Sequence, residues 1–347
     1  MVECGATVSK VDPAVFYWVD SSDQVYGILA CHVDDFIWGG DQEFEDIISK
    51  IKSTFKVGKE SDNSFKYCGI DLLCDDNVIY LSQDSYTDGL TVIDISATRS
   101  VDKSAKLTAE EGHVLRSKVG QLLWLAHQSR PDLLFDVTKI ANNLNKGSVG
   151  DILDINKIIC KAKNSKLRLK FQSVSANLNE GVLHVVLYTD AALGNMPDGG
   201  SQAGYLIMLA GDSGTFSPIC WNSKKIRRVV RSTLAAETLA MAEGIDASIF
   251  ICTLLGELVY GKPEANLFPI VCFTDCKSLH DALKSPKIVS EKRLHLEISG
   301  IKEQLQKGQV KRVEWISSDL QLADCLTKKG AANNELRKAL HSGVLTT

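Results

Sequence analysis

The chain has 347 residues, of which 44% are hydrophobic and 24% are charged, and its formal net charge is −4. This composition excludes a disordered or collagen-like chain and is typical of a soluble globular protein with room for two or three domains. A whole-chain excess of acid argues weakly against a nucleic-acid partner, so any such contact must come from local basic patches.

The 10 cysteines show no zinc-site spacing, and none of them forms a C-x-x-C pair. Because the chain is long, we expect free thiols in a reducing compartment. The N-terminus does not resemble a signal peptide, and the most apolar stretch, Ile249 to Leu255, is too short to span a bilayer. These features predict an intracellular protein with no membrane partner.

The chain begins with alternating strand-like and helical patterns. Two apolar runs between Val25 and Gly39 surround Asp34 and Asp35, which predicts a β-hairpin with these acids at its tip. The other predicted elements of this α+β layer, residues 1–82, are a helix within 41–55 and strands at 65–73 and 78–81.

Residues 83–165 are predicted to form a small helical domain. One apolar stripe at helical spacing runs from Val119 to Ala126, and another runs from Leu134 to Leu144. Pro131 lies between the stripes and is predicted to begin the second helix.

The pattern changes again in residues 166–347. The predicted strands are 183–189, 204–209, 218–221, 270–274 and 310–316, and the predicted helices are 233–258, 278–283, 291–305 and 320–328. A three-strand meander followed by alternating elements indicates an α/β domain with a mixed five-stranded sheet and helices on its faces.

Four acids occupy informative positions in this last domain. Asp190 and Asp275 each follow a predicted strand, and Glu237 lies in the first turns of the long helix. Asp324 lies in the final short helix, which Asp319 is predicted to cap. Taken singly, each acid is more often a cap, a turn residue or a solvated helix position.

Together, in this order of elements, the four acids favour a metal site. Neighbouring central strands converge at their ends, and clustered acids there cost repulsion and desolvation unless a cation neutralises them. Oxygen ligands without His or Cys suit Mg²⁺ or Mn²⁺. Two such ions would make a phosphodiester-cleaving centre.

Several segments resemble the ribonuclease H domain of copia-type LTR-retrotransposon (Pseudoviridae) Pol polyproteins, in the family's order. These segments are YTDAALG (188–194), SQAGYLIMLAG (201–211), WNSKKIRRVVRSTLAAETLA (221–240), FTDCKSLHDAL (273–283), KRLHLEI (292–298) and VEWISSDLQLADCLTK (313–328). Carried over by position, the family's catalytic and metal-binding acids fall on Asp190, Glu237, Asp275 and Asp324. The resemblance implies a ribonuclease H-like fold, two Mg²⁺ or Mn²⁺ ions and hydrolysis of RNA paired with DNA.

The same resemblance gives two further expectations. The position at which some relatives have a histidine before the last acid is occupied by Trp315 or its neighbours, so an auxiliary histidine is not expected. Basic residues near Glu237 are expected to bind the phosphates of the hybrid rather than form a solvated loop. These residues are Lys224, Lys225, Arg227, Arg228, Arg231, Lys292 and Arg293, with His295 beside the last two.

The N-terminal half resembles the reverse transcriptase of the same polyproteins. ILACHVDDFIWGG resembles the palm motif, with His32 in place of the usual Tyr, and implies that Asp34 and Asp35 are metal ligands that act on a template-primer. Further matches are KVDPAVFYW (10–18), FKYCGIDLL (65–73), LSQDSYTDGL (81–90) and, in the thumb and connecting region, VGQLLWLAHQSRPDLLFDVTKIANNL (119–144).

In this family the fingers and a further polymerase aspartate precede the palm hairpin. The chain begins about 30 residues before Asp34, so we expect an incomplete reverse transcriptase with no DNA synthesis of its own. The domains are therefore interpreted as a palm fragment (1–82), a thumb or connection (83–165) and a ribonuclease H-like domain (166–347). The family context places the protein in cytoplasmic particles or the nucleus.

Two alternatives remain open at this level. A decayed or domesticated retroelement remnant would bind nucleic acid or a partner without catalysis, and a nuclease of the same fold could act on another substrate. The intact acids favour the catalytic interpretation. The sequence does not give an oligomeric state.

Overall fold

The computed structural model describes residues 1–55, 57–174, 183–211, 213–287, 289, 291–330 and 333–345. Its strands are β1 (Thr7–Val8), β2 (Val15–Val19), β3 (Val25–His32), β4 (Asp35–Gly40), β5 (Ser64–Tyr67), β6 (Ile70–Asp75), β7 (Val78–Ser82), β8 (Leu169–Gln172), β9 (His184–Ala192), β10 (Gln202–Ala210), β11 (Phe216–Lys225), β12 (Ile270–Thr274) and β13 (Val310–Trp315). Its α-helices are α1 (Phe44–Thr54), α2 (Asp84–Gly89), α3 (Ala97–Ser100), α4 (Ala109–Gln128), α5 (Pro131–Ala141), α6 (Val149–Asn164), α7 (Thr233–Tyr260), α8 (Lys277–Lys284), α9 (Lys292–Gln306) and α10 (Asn333–Ser342).

The N-terminal layer is an antiparallel sheet in the order β1-β2-β3-β4, against which α1 packs. Phe44 of α1 is fully buried, and a Cβ atom at Gly27 would lie 2.1 Å from its ring, so only glycine permits this packing. The predicted hairpin is confirmed, because β3 pairs with β4 and the last pair joins His32 to Asp35. Asp34 therefore lies at an exposed tip.

The second sheet, in the order β5-β6-β7-β8, corrects one prediction. The run predicted as one strand at 65–73 is a hairpin, because Cys68 and Gly69 turn the chain with φ angles of 48° and 76°. The apolar residues on both sides of this dipeptide concealed the turn in the sequence. Strand β8 pairs with β7 and so places residues 169–172 in this sheet. The domain boundaries at 82 and 165 stay predictions.

The helical region shares one hydrophobic core with residues of the second and third sheets. Pro131 begins α5, as predicted, and Thr108 begins α4 with a capping box formed with Glu111. The indole nitrogen of Trp221 in β11 donates a 2.9 Å hydrogen bond to the carbonyl oxygen of Ala126 in α4. The helical region and the third sheet therefore share a buried contact.

The third sheet confirms the predicted ribonuclease H-like arrangement. Its order is β11-β10-β9-β12-β13, in which the first three strands pair antiparallel and β12 pairs in parallel with β9 and β13. Helix α7 packs against β9 and β10 on one face, and the helical region covers the other.

The C-terminal segment differs from the prediction of one short helix at 320–328. It contains two 3-10 turns, Ser318–Leu320 and Asp324–Leu326, followed by the unpredicted helix α10. Gln321 interrupts the helix because its side-chain nitrogen donates to the carbonyl oxygen of Thr189, at 3.0 Å. The segment is thereby fastened to β9.

Helix α7 is longer than the apolar stretch 249–255 that the sequence analysis considered. Its 28 residues, with a mean hydropathy of 1.6 in its most apolar window, would suffice by length and composition to cross a membrane. In this fold its buried residues, including Met241 and Ile245, contact the core residues Val185 and Leu187 of β9. One face of α7 therefore packs inside the protein, and 39% of its most apolar window is buried.

A buried ionic network fastens α10 to the helical region. The guanidinium of Arg130 donates to Asp132 at 2.8 and 2.9 Å, and Arg337 of α10 donates to the same carboxylate at 2.7 Å. The Asp132 side chain is fully buried and that of Arg130 is 3% exposed. Burial raises the pKa of Asp132, but the charges and hydrogen bonds of the two arginines lower it by more. The pKa therefore lies below its usual value.

Replacing Asp132 by Ala should therefore be costly, because it leaves the Arg130 charge buried without a partner. We expect the free energy of unfolding to fall by about 3–5 kcal/mol, measured by urea denaturation. Asp154→Ala, which removes exposed pairs with Lys157 and Lys329, should change it by less than about 1 kcal/mol. Equal effects of the two substitutions would show that the buried network is not a determinant of stability.

Candidate metal centre

Three of the predicted acids converge at one edge of the third sheet. The parallel register pairs Phe273 with Tyr188, so that Asp275 and Asp190, each two residues further on, lie side by side. Carboxylate oxygens of Asp190, Asp275 and Glu237 all lie within 4.8 Å of one another. Among the described residues, no other group of three His, Cys, Asp or Glu side chains comes this close.

Glu237 reaches this edge because α7 approaches β9 closely. A Cβ atom at Gly244 would lie 2.8 Å from Leu187 and 3.1 Å from Thr189, so glycine is needed at this crossing. The hydroxyl of Ser232 accepts a 3.2 Å hydrogen bond from the Ala235 amide and starts the helix one turn before Glu237. Helix α7 therefore places the Glu237 carboxylate beside β9, the strand that carries Asp190.

The prediction that Asp190 ends its strand is wrong by two residues. Strand β9 continues to Ala192, because β10 pairs with it along this whole stretch and opposes Gly204 to Asp190. The side chain of Asp190 is consequently enclosed between neighbouring strands and is only 1% exposed.

Burial dominates the electrostatics of the cluster. Burial, with smaller contributions from Asp324 and Asp275, raises the pKa of Asp190 to about 6 in spite of the opposing charge of Lys328. Burial and the charges of Asp190 and Asp275 raise the pKa of Glu237 to about 9. With a pKa of about 9, the Glu237 carboxyl is protonated at neutral pH in the ion-free cluster, and a bound cation would displace this proton.

The donor set fits a hard divalent cation. Buried oxygens Oδ1 of Asp190 and Oε2 of Glu237 accept no hydrogen bond in the described part of the chain. Buried acceptors without a donor are rare, and an unfilled ligand position is one physical reason for them. All three side chains offer carboxylate oxygens, which are the ligands of Mg²⁺ and Mn²⁺ rather than of softer metals.

Asp324 approaches the cluster from the segment after β13 and is linked to it by Lys328. The Lys328 ammonium lies 3.5 Å from Oδ1 of Asp190 and forms an ion pair and hydrogen bond with Asp324. Burial lowers the pKa of Lys328, but the carboxylates of Asp190 and Asp324 raise it by more, so the pKa lies above its usual value. Its neighbour Thr327 donates its hydroxyl to Oδ2 of Asp190. The assignment of Asp324 as a ligand stays a prediction.

Asp275 is also held by the segment after β13. Ser318 donates its hydroxyl to Oδ2 of Asp275 at 2.7 Å, and Trp315 donates its indole N–H to the carbonyl oxygen of the same residue at 3.0 Å. Trp315 therefore has a structural contact at the position considered for an auxiliary histidine. Asp319, predicted to cap the final short helix, lies instead within the 3-10 turn Ser318–Leu320 and accepts a hydrogen bond from the Ser317 hydroxyl.

Ser318, Thr327 and Lys328 contact the acids of the centre and were not among the predicted site residues. Lys328 could have been found, because it stands four residues after Asp324, the spacing of a helical ion pair. Ser318 and Thr327 gave no such signal, since their partners lie 43 and 137 residues away in the chain.

The predicted basic residues line two adjoining cavities beside the first turns of α7. Arg228, Arg231, Lys292 and Arg293 line a cavity of about 350 Å³. The second cavity, of about 610 Å³, shares Arg228 with the first and is lined also by Lys224, Lys225 and Arg227. All seven predicted basic side chains therefore lie on one surface beside α7.

Acidic partners offset part of this positive surface. Lys224 pairs with Glu243, Lys225 with Asp198, and Arg228 with Glu297. In the described chain, Arg227, Arg231, Lys292 and Arg293 are exposed and have no ion pair. Their role in nucleic-acid binding stays a prediction, as does that of His295, whose ring contacts Ser299.

The chain is similar to two Pol polyproteins of Arabidopsis thaliana. It is 28% identical over 343 residues to the retrovirus-related Pol polyprotein from transposon RE2, covering 94% of this chain and 22% of the polyprotein. It is 26% identical over 348 aligned positions to that from transposon RE1, with the same coverage of 94% and 22%. The predicted resemblance to a retrotransposon Pol polyprotein is thereby confirmed, and the chain spans about a fifth of the length of these relatives.

No protein-family model matches the chain. Among solved structures, ribonuclease H1 from the halophilic archaeon Halobacterium salinarum NRC-1 is similar at 16% identity and a TM-score of 0.31, covering 42% of this chain and 94% of that one.

The raised pKa of Asp190, about 6, predicts how ion-free stability depends on pH. Its folded-state pKa lies above the unfolded value, so ionisation destabilises the fold as pH rises from about 4 to 6. Asp190→Asn removes this penalty and should raise the free energy of unfolding at pH 8 by about 3 kcal/mol in EDTA. Urea denaturation at pH 4 and pH 8 measures the difference.

The gain from Asp190→Asn should disappear at pH 4, where the wild-type carboxyl is protonated in the folded state. Asp281→Asn, which changes an exposed acid paired with Lys277, serves as the control and should show no such gain. A destabilised Asp190→Asn variant at pH 8 would mean that its contacts with Lys328 and Thr327 outweigh the cost of burying the charge.

Proposed function

We propose that the C-terminal half of the chain is a ribonuclease H that hydrolyses the RNA strand of RNA/DNA hybrids within a retrotransposon Pol polyprotein. The observation that carries this proposal is the convergence of Asp190, Glu237 and Asp275 with buried oxygens that lack hydrogen-bond donors. The similarity to Pol polyproteins over 94% of the chain supports the same reading.

Divalent ions, Mg²⁺ or Mn²⁺, would be held by Asp190, Glu237 and Asp275, with Asp324 as a fourth ligand and two ions in the complete centre. When bound, such ions lower the pKa of water and neutralise charge on a scissile phosphate. The carboxylates of Asp190 and Glu237 would bind them from a buried position. Ser318 and Trp315 would fix the orientation of Asp275.

The basic surface beside α7 would hold the substrate. Arg227, Arg231, Lys292 and Arg293 are exposed and would bind backbone phosphates, which all nucleic-acid sequences share. Because these contacts are separate from the carboxylates, binding and cleavage can be measured independently. Their contribution should weaken as salt concentration rises.

The decisive assay is cleavage of a labelled RNA/DNA hybrid by the purified chain with Mg²⁺ or Mn²⁺. Asp190→Asn keeps the size of the side chain but removes a charged ligand, so cleavage should fall by at least about 100-fold. Hybrid binding, measured by fluorescence anisotropy, should persist. Asp281→Asn changes an exposed acid outside the cluster and should cleave at the wild-type rate.

Each contrary result of this assay has one meaning. Wild-type protein that binds the hybrid but never cleaves it would favour the non-catalytic remnant. Cleavage that survives in Asp190→Asn would show that the cluster is misassigned. Cleavage of duplex DNA in preference to the hybrid would favour a nuclease with another substrate.

We further propose that the N-terminal half does not synthesise DNA in this chain. Asp34 and Asp35 lie at the exposed end of the β3–β4 hairpin, and no third acid, His or Cys of the described residues completes a metal-binding group with them. Primer extension on a primed RNA template should therefore be undetectable while the same preparation cleaves hybrid. Templated incorporation of nucleotides that is lost in Asp34→Asn would contradict this prediction.

A further inference from the structure

Lys328 lies beside Asp190 and Asp324 and bridges these two carboxylates. Its ammonium lies 3.5 Å from Oδ1 of Asp190 and pairs also with Asp324. In the part of the chain that the structure describes, no lysine or arginine pairs with Glu237 or Asp275. The pair Asp190 and Asp324 therefore already shares a positive charge supplied by the protein, whereas Glu237 and Asp275 have no such ion pair among the described residues.

The surroundings of Lys328 allow it to leave this position. Its side chain is 43% exposed, whereas that of Asp190 is 1% exposed. A lysine ammonium is a compact charge on a flexible stem and can exchange a carboxylate for water without movement of the backbone. Asp190 would stay in place, because the Thr327 hydroxyl donates to its other oxygen, Oδ2.

We propose that Lys328 is an internal cation that competes with a divalent ion for the space between Asp190 and Asp324. The site among Asp190, Glu237 and Asp275 then accepts a first ion directly, and a second ion binds beside Asp324 only when the ammonium moves into solvent. Lys328 would thus be a positioning residue that holds Asp190 and Asp324 together in the ion-free protein and sets the affinity for the second ion. This inference rests on the proposed metal centre.

Counting of bound Mn²⁺ tests the proposal without nucleic acid or catalysis. The full chain is titrated with Mn²⁺ at pH 7.5, free ion is followed by electron paramagnetic resonance, and heat is followed by calorimetry. Lys328→Gln keeps a polar side chain but removes the charge. The dissociation constant of the second Mn²⁺ ion should therefore fall by at least about tenfold relative to wild type, and that of the first ion should fall by less. Lys329→Gln removes the same charge from an exposed neighbour paired with Asp154 and should bind both ions as the wild type does.

Thermal unfolding supplies an independent measurement. In EDTA, Lys328→Gln should unfold at a lower temperature than the wild type and Lys329→Gln, because Asp190 and Asp324 lose their shared counter-ion. Mn²⁺ should then raise the unfolding temperature of Lys328→Gln by more than it raises that of the wild type. An ordinary surface ion pair would give no such difference in response to Mn²⁺.

Lys328→Arg covers the case in which Lys328→Gln does not fold without ions. The arginine keeps the charge and can bridge two carboxylates, so the second ion should bind no more tightly than in the wild type. Tighter binding of the second ion by Lys328→Arg would overturn the proposal. The proposal would also be overturned if Lys328→Gln binds a first ion normally and binds the second with the wild-type affinity.

These outcomes separate the inference from the function on which it rests. If neither wild type nor variants bind any Mn²⁺, the metal centre itself is wrong, and the proposed nuclease fails with it. If the first ion binds and only the effect of Lys328→Gln is missing, the nuclease proposal stands and the role of Lys328 is refuted.

Discussion

The parallel pairing of β12 with β9 is the constraint on which the rest of the centre depends. It sets Asp190 and Asp275 side by side at the edge of the sheet where the metal centre lies, with Asp190 buried and Asp275 partly exposed. Two carboxylates in that position raise each other's free energy unless protons or cations compensate them. The close crossing of α7 at Gly244 adds Glu237 to the same space and increases this cost.

The segment after β13 provides part of the compensation. It returns across the sheet edge and supplies Ser318, Thr327 and Lys328 to the carboxylates. Its own position is fixed by packing, since a Cβ atom at Gly204 would lie 2.7 Å from Cβ of Leu326. The Ser223 hydroxyl also donates to the carbonyl oxygen of Leu326. The acids and Lys328 are therefore parts of one packed unit. The packing of this unit offsets the free-energy cost of holding carboxylates close together.

Helix α7 also joins the N-terminal layer to this unit. Glu257, near its C-terminal end, is fully buried and accepts hydrogen bonds from the Ser9 hydroxyl and from the Lys10 amide, the latter at 2.8 Å. The same helix carries Glu237 near its N-terminal end. The N-terminal layer and the proposed nuclease centre thus contact opposite ends of the same helix.

The sequence by itself determined the periodic elements and the identity of the acids. Alternating and helical spacing predicted the strands of the third sheet and the long helix. The order of the elements that carry Asp190, Glu237, Asp275 and Asp324 predicted a metal site. Such features are readable because strand and helix periodicity and residue chemistry are local properties of the chain.

Only the tertiary structure decided which acids meet and in what state. It placed Glu237 in a buried position where its pKa is about 9, and it set Lys328 between Asp190 and Asp324. It also paired β8 with β7, although helices α2 to α6 separate these two strands along the chain. These outcomes depend on desolvation and on contacts between residues far apart in the chain, and no local pattern encodes them.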